Sequence, residues 1–248
     1  MTPPLLEDAP QSPPAPPVPA PAPRSSPAVL AIVAAVGILI LVGVIAVGVR
    51  SWETDMGPDG QPADAAAGSI DGRTAAVFEL ARAAPTVIVR SGELGGSLYR
   101  ISGATVEQSG DVVRAVGDNQ DTMTVELNYH ITWQIRLSDG AMSETLDLRK
   151  VPVSGIEITG NAGSVDLTLG EPRGDVPVSV SSRVDTLAVH LPADEAAQVH
   201  LAGGADRVTF DGVTQTGVAA GSGFAADATD RYVIDATARL GTLTVDHR

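Results

Sequence analysis

Four histidines and thirty acidic residues are the side chains of this 248-residue chain best suited to proton or metal chemistry, and there is no cysteine. His130 stands on the polar side of an alternating stretch, and His190 lies between Val189 and Leu191, where alternation points it outward. His200 and His247 occupy similar strand-like settings. A metal site needs His, Asp, Glu or Cys partners at ligand spacing, and none of the four histidines has them in sequence. The lack of cysteine excludes disulfides, thiolate metal sites, a thiol nucleophile and a lipobox-type lipid anchor. No G-x-S-x-G, S-x-x-K, P-loop or G-x-G-x-x-G occurs. Gly221-Ser222-Gly223 lacks a strand-to-helix setting and reads as a turn. Asp118-Asn119-Gln120-Asp121, and Asp55 with Asp59, offer oxygen ligands for a weak calcium ion. Their spacing is not that of an EF-hand, and turn chemistry accounts for Asp and Asn there. A glycosidase pair would need two carboxylates about 5 to 9.5 Å apart in a cleft, and acids spread over a surface are the simpler reading. No residue is assigned a catalytic, cofactor-binding or metal role, and the chain reads as no enzyme.

The elements that would position any site are β-strands. From Met123 to Leu137 every second residue is apolar (Met123, Val125, Leu127, Tyr129, Ile131, Trp133, Ile135, Leu137), and the residues between are polar. Successive side chains of an extended chain point to opposite faces, so this is a strand with one dry and one wet face. Ala76–Leu80, Thr86–Val89, Tyr99–Ile101 and Val112–Arg114 read as further strands, with helix the alternative for residues 74–84.

After Lys150 a six-residue pattern returns, apolar at positions 1, 4 and 6 with a small or acidic turn former at 2. Its copies are Val153–Ile158, Ala162–Leu167, Val184–Val189, Ala205–Phe210 and Leu240–Val245, with Val176–Val180 and Gln198–Leu201 between them. One such rung cannot cover its own apolar face, but stacked rungs cover one another. Uneven spacing predicts an all-β, irregular β-solenoid-like or stacked-sheet domain rather than a strict β-helix.

Outside that domain the composition changes twice. Residues 1–27 hold eleven of the eighteen prolines and predict a disordered, partly polyproline II tail. Residues 28–49 carry no charge or strong polar group, enough at about 1.5 Å per residue to cross a hydrocarbon core of about 30 Å. Ser26 and Pro27 suit a helix start, and Trp52 an interfacial anchor. Residues 28–50 are thus expected to form one uncleaved transmembrane helix, the apolar run being too long for a signal peptide. Arg24 and Arg50 leave its orientation tied. Residues 51–73 predict a flexible linker, and residues 74–248 the β domain. The net charge of −14 falls wholly after residue 50, because Glu7 and Asp8 offset Arg24 and Arg50. Such acidity argues against nucleic acid as a partner and keeps a β-rich domain soluble.

Several segments run in a familiar order. These are Trp133–Leu137, Leu146–Leu148, Val153–Ile158, Gly160–Leu169, Gly174–Val180 and Leu191-Pro192. The chain resembles the putative-adhesin or toast-rack β domain of bacterial envelope proteins, a group that includes LiaF-like membrane proteins. The match is strongest over 123–212 and extends over 74–248. The resemblance implies no catalytic residues and no cofactor. It implies a β domain outside the plasma membrane and an N-terminus in the cytoplasm, which breaks the orientation tie. It also implies a surface binding or adhesin-like role toward an envelope glycan or membrane protein. The alternative it brings is an accessory in envelope-stress signalling, acting through a partner such as a histidine kinase.

Overall fold

The computed structural model describes residues 65–118, 120–226 and 229–248. The expectations for the tail 1–27, the membrane helix 28–50 and residues 51–64 of the linker, Asp55 and Asp59 included, lie outside the described residues.

The described residues contain nineteen strands and no helix. In chain order they begin β1 (Ala66–Ser69), β2 (Ala75–Arg82), β3 (Thr86–Gly92), β4 (Ser97–Ser102), β5 (Ala104–Ser109) and β6 (Val112–Gly117). Next come β7 (Thr122–Asn128), β8 (Thr132–Leu137), β9 (Ser143–Leu148), β10 (Val153–Ile158), β11 (Ala162–Leu169) and β12 (Asp175–Val180). The last are β13 (Val184–Leu191), β14 (Ala196–Leu201), β15 (Ala205–Phe210), β16 (Val213–Val218), β17 (Ser222–Ala225), β18 (Arg231–Ala236) and β19 (Leu240–His247).

They form two facing sheets. Sheet I has ten strands in the order β1-β4-β7-β3-β9-β11-β13-β19-β15-β16, and sheet II has nine in the order β17-β14-β18-β12-β10-β8-β2-β6-β5. The chain crosses from sheet II to sheet I in each rung, and neighbouring rungs are parallel. Along the stack the rungs run β6/β7, β2/β3, β8/β9, β10/β11, β12/β13, β18/β19, β14/β15. Spatial order therefore departs from chain order at both ends. The first rung, β2/β3, sits inside β6/β7, and the last, β18/β19, is interposed between β12/β13 and β14/β15. Antiparallel strands close the ends: β4 on β7, β5 on β6, β16 on β15 and β17 on β14. The six-residue copies return at uneven intervals because the first two are the two sides of one rung, β10/β11, and the capping strands β16 and β17 lie between β15 and β19.

Rows of apolar side chains built by register make the core between the sheets. In sheet II, Val113, Phe78, Ile135, Ile156, Val178, Ile234 and Val199 stand side by side across seven strands. In sheet I, Ile101, Val125, Val89, Leu146, Leu167, Val189, Val245 and Phe210 do the same. Each such side chain removed from water stabilises the fold by about 2 kcal/mol before entropy is counted. The turns between rungs must also nest. A methyl group on Gly160 would collide with the Asp139-Gly140 backbone of the turn below, and one on Gly140 with the Asn161 carbonyl above. Glycine at both positions lets consecutive turns stack.

Two local expectations change, and one alternative closes. Ala76–Leu80 is strand as expected, within β2 and not a helix, with Phe78 and Leu80 fully buried. The linker expected at 51–73 contains β1, whose residues find ladder partners on β4. The long alternation at 123–137 is two strands in different sheets. Asn128, on the expected wet side, is fully buried at the corner between them. Its side-chain oxygen accepts from the His130 N–H at 2.9 Å, and its amide donates to Gly95 O and Ser97 O at 3.2 and 2.8 Å. Trp133 Nε1 donates to the Asn128 carbonyl at 3.0 Å, fixing the indole at the start of β8.

Candidate functional site

Alternation leaves one outer face on each sheet, and register turns the charges there into rows. Across sheet II, Glu107, Arg114, Glu79, Arg136, Glu157, Ser179, Asp235 and His200 stand in a single register line. Signs alternate over the first five members. Arg114 pairs with Glu107 and Glu79 at 3.6 Å each, Arg136 with Glu157 at 3.4 Å, and His200 with Asp235 at 3.4 Å. Opposite charges directly across a strand pair attract, and the long side chains here remain substantially exposed.

Sheet I carries the matching row Arg100, Glu126, Arg90, Asp147, Thr168, His190, Asp246. This one is drier. Glu126, 13% exposed, bridges Arg90 at 2.9 Å and Arg100 at 3.0 Å. His190 does project from the outer face, yet it is 4% exposed rather than solvated. Its Nδ1 lies 2.5 Å from Asp246 Oδ1 on β19, and its Nε2 lies 3.4 Å from Asp166 Oδ2 on β11. A neutral imidazole would aim a lone pair at one of these carboxylates, so the charged form fits the geometry. Burial pushes the imidazole down, but the hydrogen bonds and charges of Asp166 and Asp246 outweigh it and raise its pKa. Arg248 approaches the same Asp246 at 3.7 Å. His190 on β13 thereby contacts both neighbouring strands, β11 and β19.

Glu144 interrupts the second inner row of sheet I. That row reads Met123, Val87, Glu144, Val165, Leu187, Leu243, Val208, so the carboxyl points into the core between Val87 and Val165. It is 1% exposed. Oε1 accepts from the Ala141 N–H at 2.9 Å, while Oε2 has no partner among the described residues. Burial pushes its pKa up to about 7, with the Ala141 N–H opposing and Asp139 adding to the rise. Sequence reading missed it because Ser143-Glu144-Thr145 offers no alternation of its own; its inward phase is set by Leu146 and Leu148.

The remaining sequence candidates do not gather. His130 is exposed, and His247 at the end of β19 contacts the Glu195 carbonyl through Nε2 at 2.7 Å and Asp211 through Nδ1 at 3.1 Å. Gly221 closes the turn into β17, to which Ser222 and Gly223 belong. Asp118 and Asp121 flank an undescribed Asn119. No group of three or more His, Asp or Glu suited to a metal is found among the described residues.

These features define an all-β, two-sheet solenoid whose charged side chains are largely partnered by one another across strands. Among solved structures, the chain is similar to a "putative cell adhesion protein" from Clostridium sporogenes. The two share 14% identity with a TM-score of 0.56, over 75% of this chain and 98% of that one. A "putative adhesin" from Bacteroides fragilis aligns over the same shares at 6% identity, but its TM-score of 0.26 carries no weight. The Clostridium likeness establishes a shared fold. No protein-family model matches the chain, and no curated protein matches it in sequence.

Proposed function

We propose that the β domain is a non-enzymatic, adhesin-like binding module of the bacterial envelope. In this reading it is held outside the plasma membrane by a single helix at residues 28–50. Its partner is an envelope glycan or a membrane protein. The observation that carries it is the disposition of charge on the two outer faces: acids and bases alternate in register and neutralise one another across strands, as a rigid display scaffold requires. A hydrolase would instead converge them on a cleft. The fold shared with the Clostridium protein supports the same reading, as do the uncharged residues 28–49.

The deciding experiment is protease treatment of intact cells expressing the chain with a tag at each end. Loss of the C-terminal tag alone is the expected result. Protection of that tag with loss of the N-terminal one would put the β domain in the cytoplasm and end the surface-module reading.

A further inference from the structure

The two ends of the stack are finished differently. At one end β16 closes sheet I and β17 closes sheet II, each the cap of rung β14/β15, so the two edges lie level. At the other end β1 extends sheet I one strand past β4, while sheet II stops at β5. There the edges are staggered by one strand spacing, about 4.8 Å.

Charge differs as well. Residues 213–226, which span β16, β17 and their connection, contain no charged residue and no proline. Val213 to Gly217 are all exposed, Val213 at 64%. Both outer rows of charges stop short of this end. The sheet II row ends at His200, and the next position, on β17, is Gly223. Beneath the edges Phe210 and Phe224 stack across the two sheets with centroids 5.8 Å apart. By contrast β5 presents Glu107 with its side chain 67% exposed. Natural edges are usually blunted by charge, proline or cover, and β16 shows none of these among the described residues.

From this we infer that the β16/β17 end is a self-association surface for a second copy of this chain. A twofold axis normal to the sheets keeps each sheet on its own side, so β16 meets β16 and β17 meets β17, both antiparallel. Level edges let the two ladders form together, an isologous contact that closes on itself. An unrelated extended peptide would pair with one edge and leave the other open. A second copy also brings an uncharged edge, so two molecules of net charge −14 meet where local repulsion is low. This inference holds for either membrane orientation.

The native chain has no cysteine, so each single-cysteine variant carries one thiol per molecule. Val213→Cys, Thr214→Cys, Gln215→Cys and Thr216→Cys are made in the full chain, purified in detergent micelles and oxidised. Cysteines close to the twofold axis fall within disulfide reach, Cα separations of about 4.4–6.8 Å. The expected result is a disulfide dimer at one or two adjacent positions of β16 and none for Glu107→Cys on β5. Adding Thr214→Glu with Thr216→Glu to the same full chain puts acids on the edge, the one at 216 opposite Arg207 across the ladder, and should abolish a concentration-dependent dimer in sedimentation while the circular dichroism stays unchanged. Absence of a crosslink at all four positions would overturn the inference, as would a dimer that survives both substitutions. A crosslink in mixtures of Ser222→Cys on β17 with Glu107→Cys on β5, the two edges of sheet II, would mean head-to-tail stacking and likewise overturn the twofold pairing.

Discussion

Sheets I and II share one plan, apolar rows inside and a charged row outside, but they put ionisable groups in different surroundings. In sheet II the outer row stays wet, with Arg136 39% and Glu157 44% exposed, and the inner rows are apolar. In sheet I, Glu144 lies inside the core and His190 is covered on the outer face. The same residue types thus act as surface decoration in one sheet and as titrating parts of the fold in the other. Burial makes that difference, because a charge interacts more strongly and is solvated less once water is removed.

The largest effect should come from putting a charge into sheet II, where none is buried. Trp133→Asp, fully inside at the start of β8, should cost about 4 kcal/mol or more and unfold the domain, while Gln134→Asp next to it should cost about 1 kcal/mol or less. Urea denaturation of the two variants checks this, and equal losses would mean that the faces are misassigned.

Glu144 sharpens the contrast from the other side. Its carboxyl titrates near 7 when folded and near 4.5 when unfolded, so the folded state holds a proton that the unfolded chain releases. Stability from this group is therefore full below about pH 4.5 and lost as pH rises to about 7, a change of about 3 kcal/mol. Glu144→Gln should raise the thermal midpoint at pH 8 and leave it nearly unchanged at pH 4. A parallel shift at both values would refute the buried-acid account.

His190 should act in the same direction with a smaller amplitude. Its folded pKa is raised, so its stabilisation is complete below the unfolded value of 6.5 and fades as pH climbs through the folded one. His190→Gln should lose about 1–2 kcal/mol at pH 6, and the gap from the native chain should narrow at pH 9. The smallest effect belongs to sheet II: Arg136→Gln should cost less than about 1 kcal/mol with no dependence on pH between 5 and 9. A large, pH-dependent loss there would erase the distinction between the sheets.

Much of the fold was legible because it is local. Ala162–Leu167, Val184–Val189 and Leu240–Val245 announce β11, β13 and β19 by alternation alone. The charge rows were not legible, because Glu79, Arg136 and Glu157 become neighbours only through register, a property of pairing and not of any one segment. His190 was read correctly for face and wrongly for burial: alternation reports direction, whereas Asp166 and Asp246 reach it from other strands. Asn128 hid the break between β7 and β8 because the apolar phase continues unbroken through the corner. Asp211-Gly212 joins β15 to β16 with both residues at positive φ (48° and 77°), a two-residue hairpin signal that marks the turn into the antiparallel cap.

The interposed rung β18/β19 sets a schedule for synthesis. Residues leave the ribosome N-terminus first, yet the strands that complete the interior are made after the β14/β15 rung that lies beyond them. Asp175 on β12 waits for Arg231, 56 positions later. Until then the inner flank of rung β14/β15 has nothing to lean on, and the open edges of β12 and β13 are exposed to other nascent chains. Completion of β19, not the appearance of the first rung, is the event that seals this domain. Deleting β18 and β19 would remove its keystone rather than its fringe.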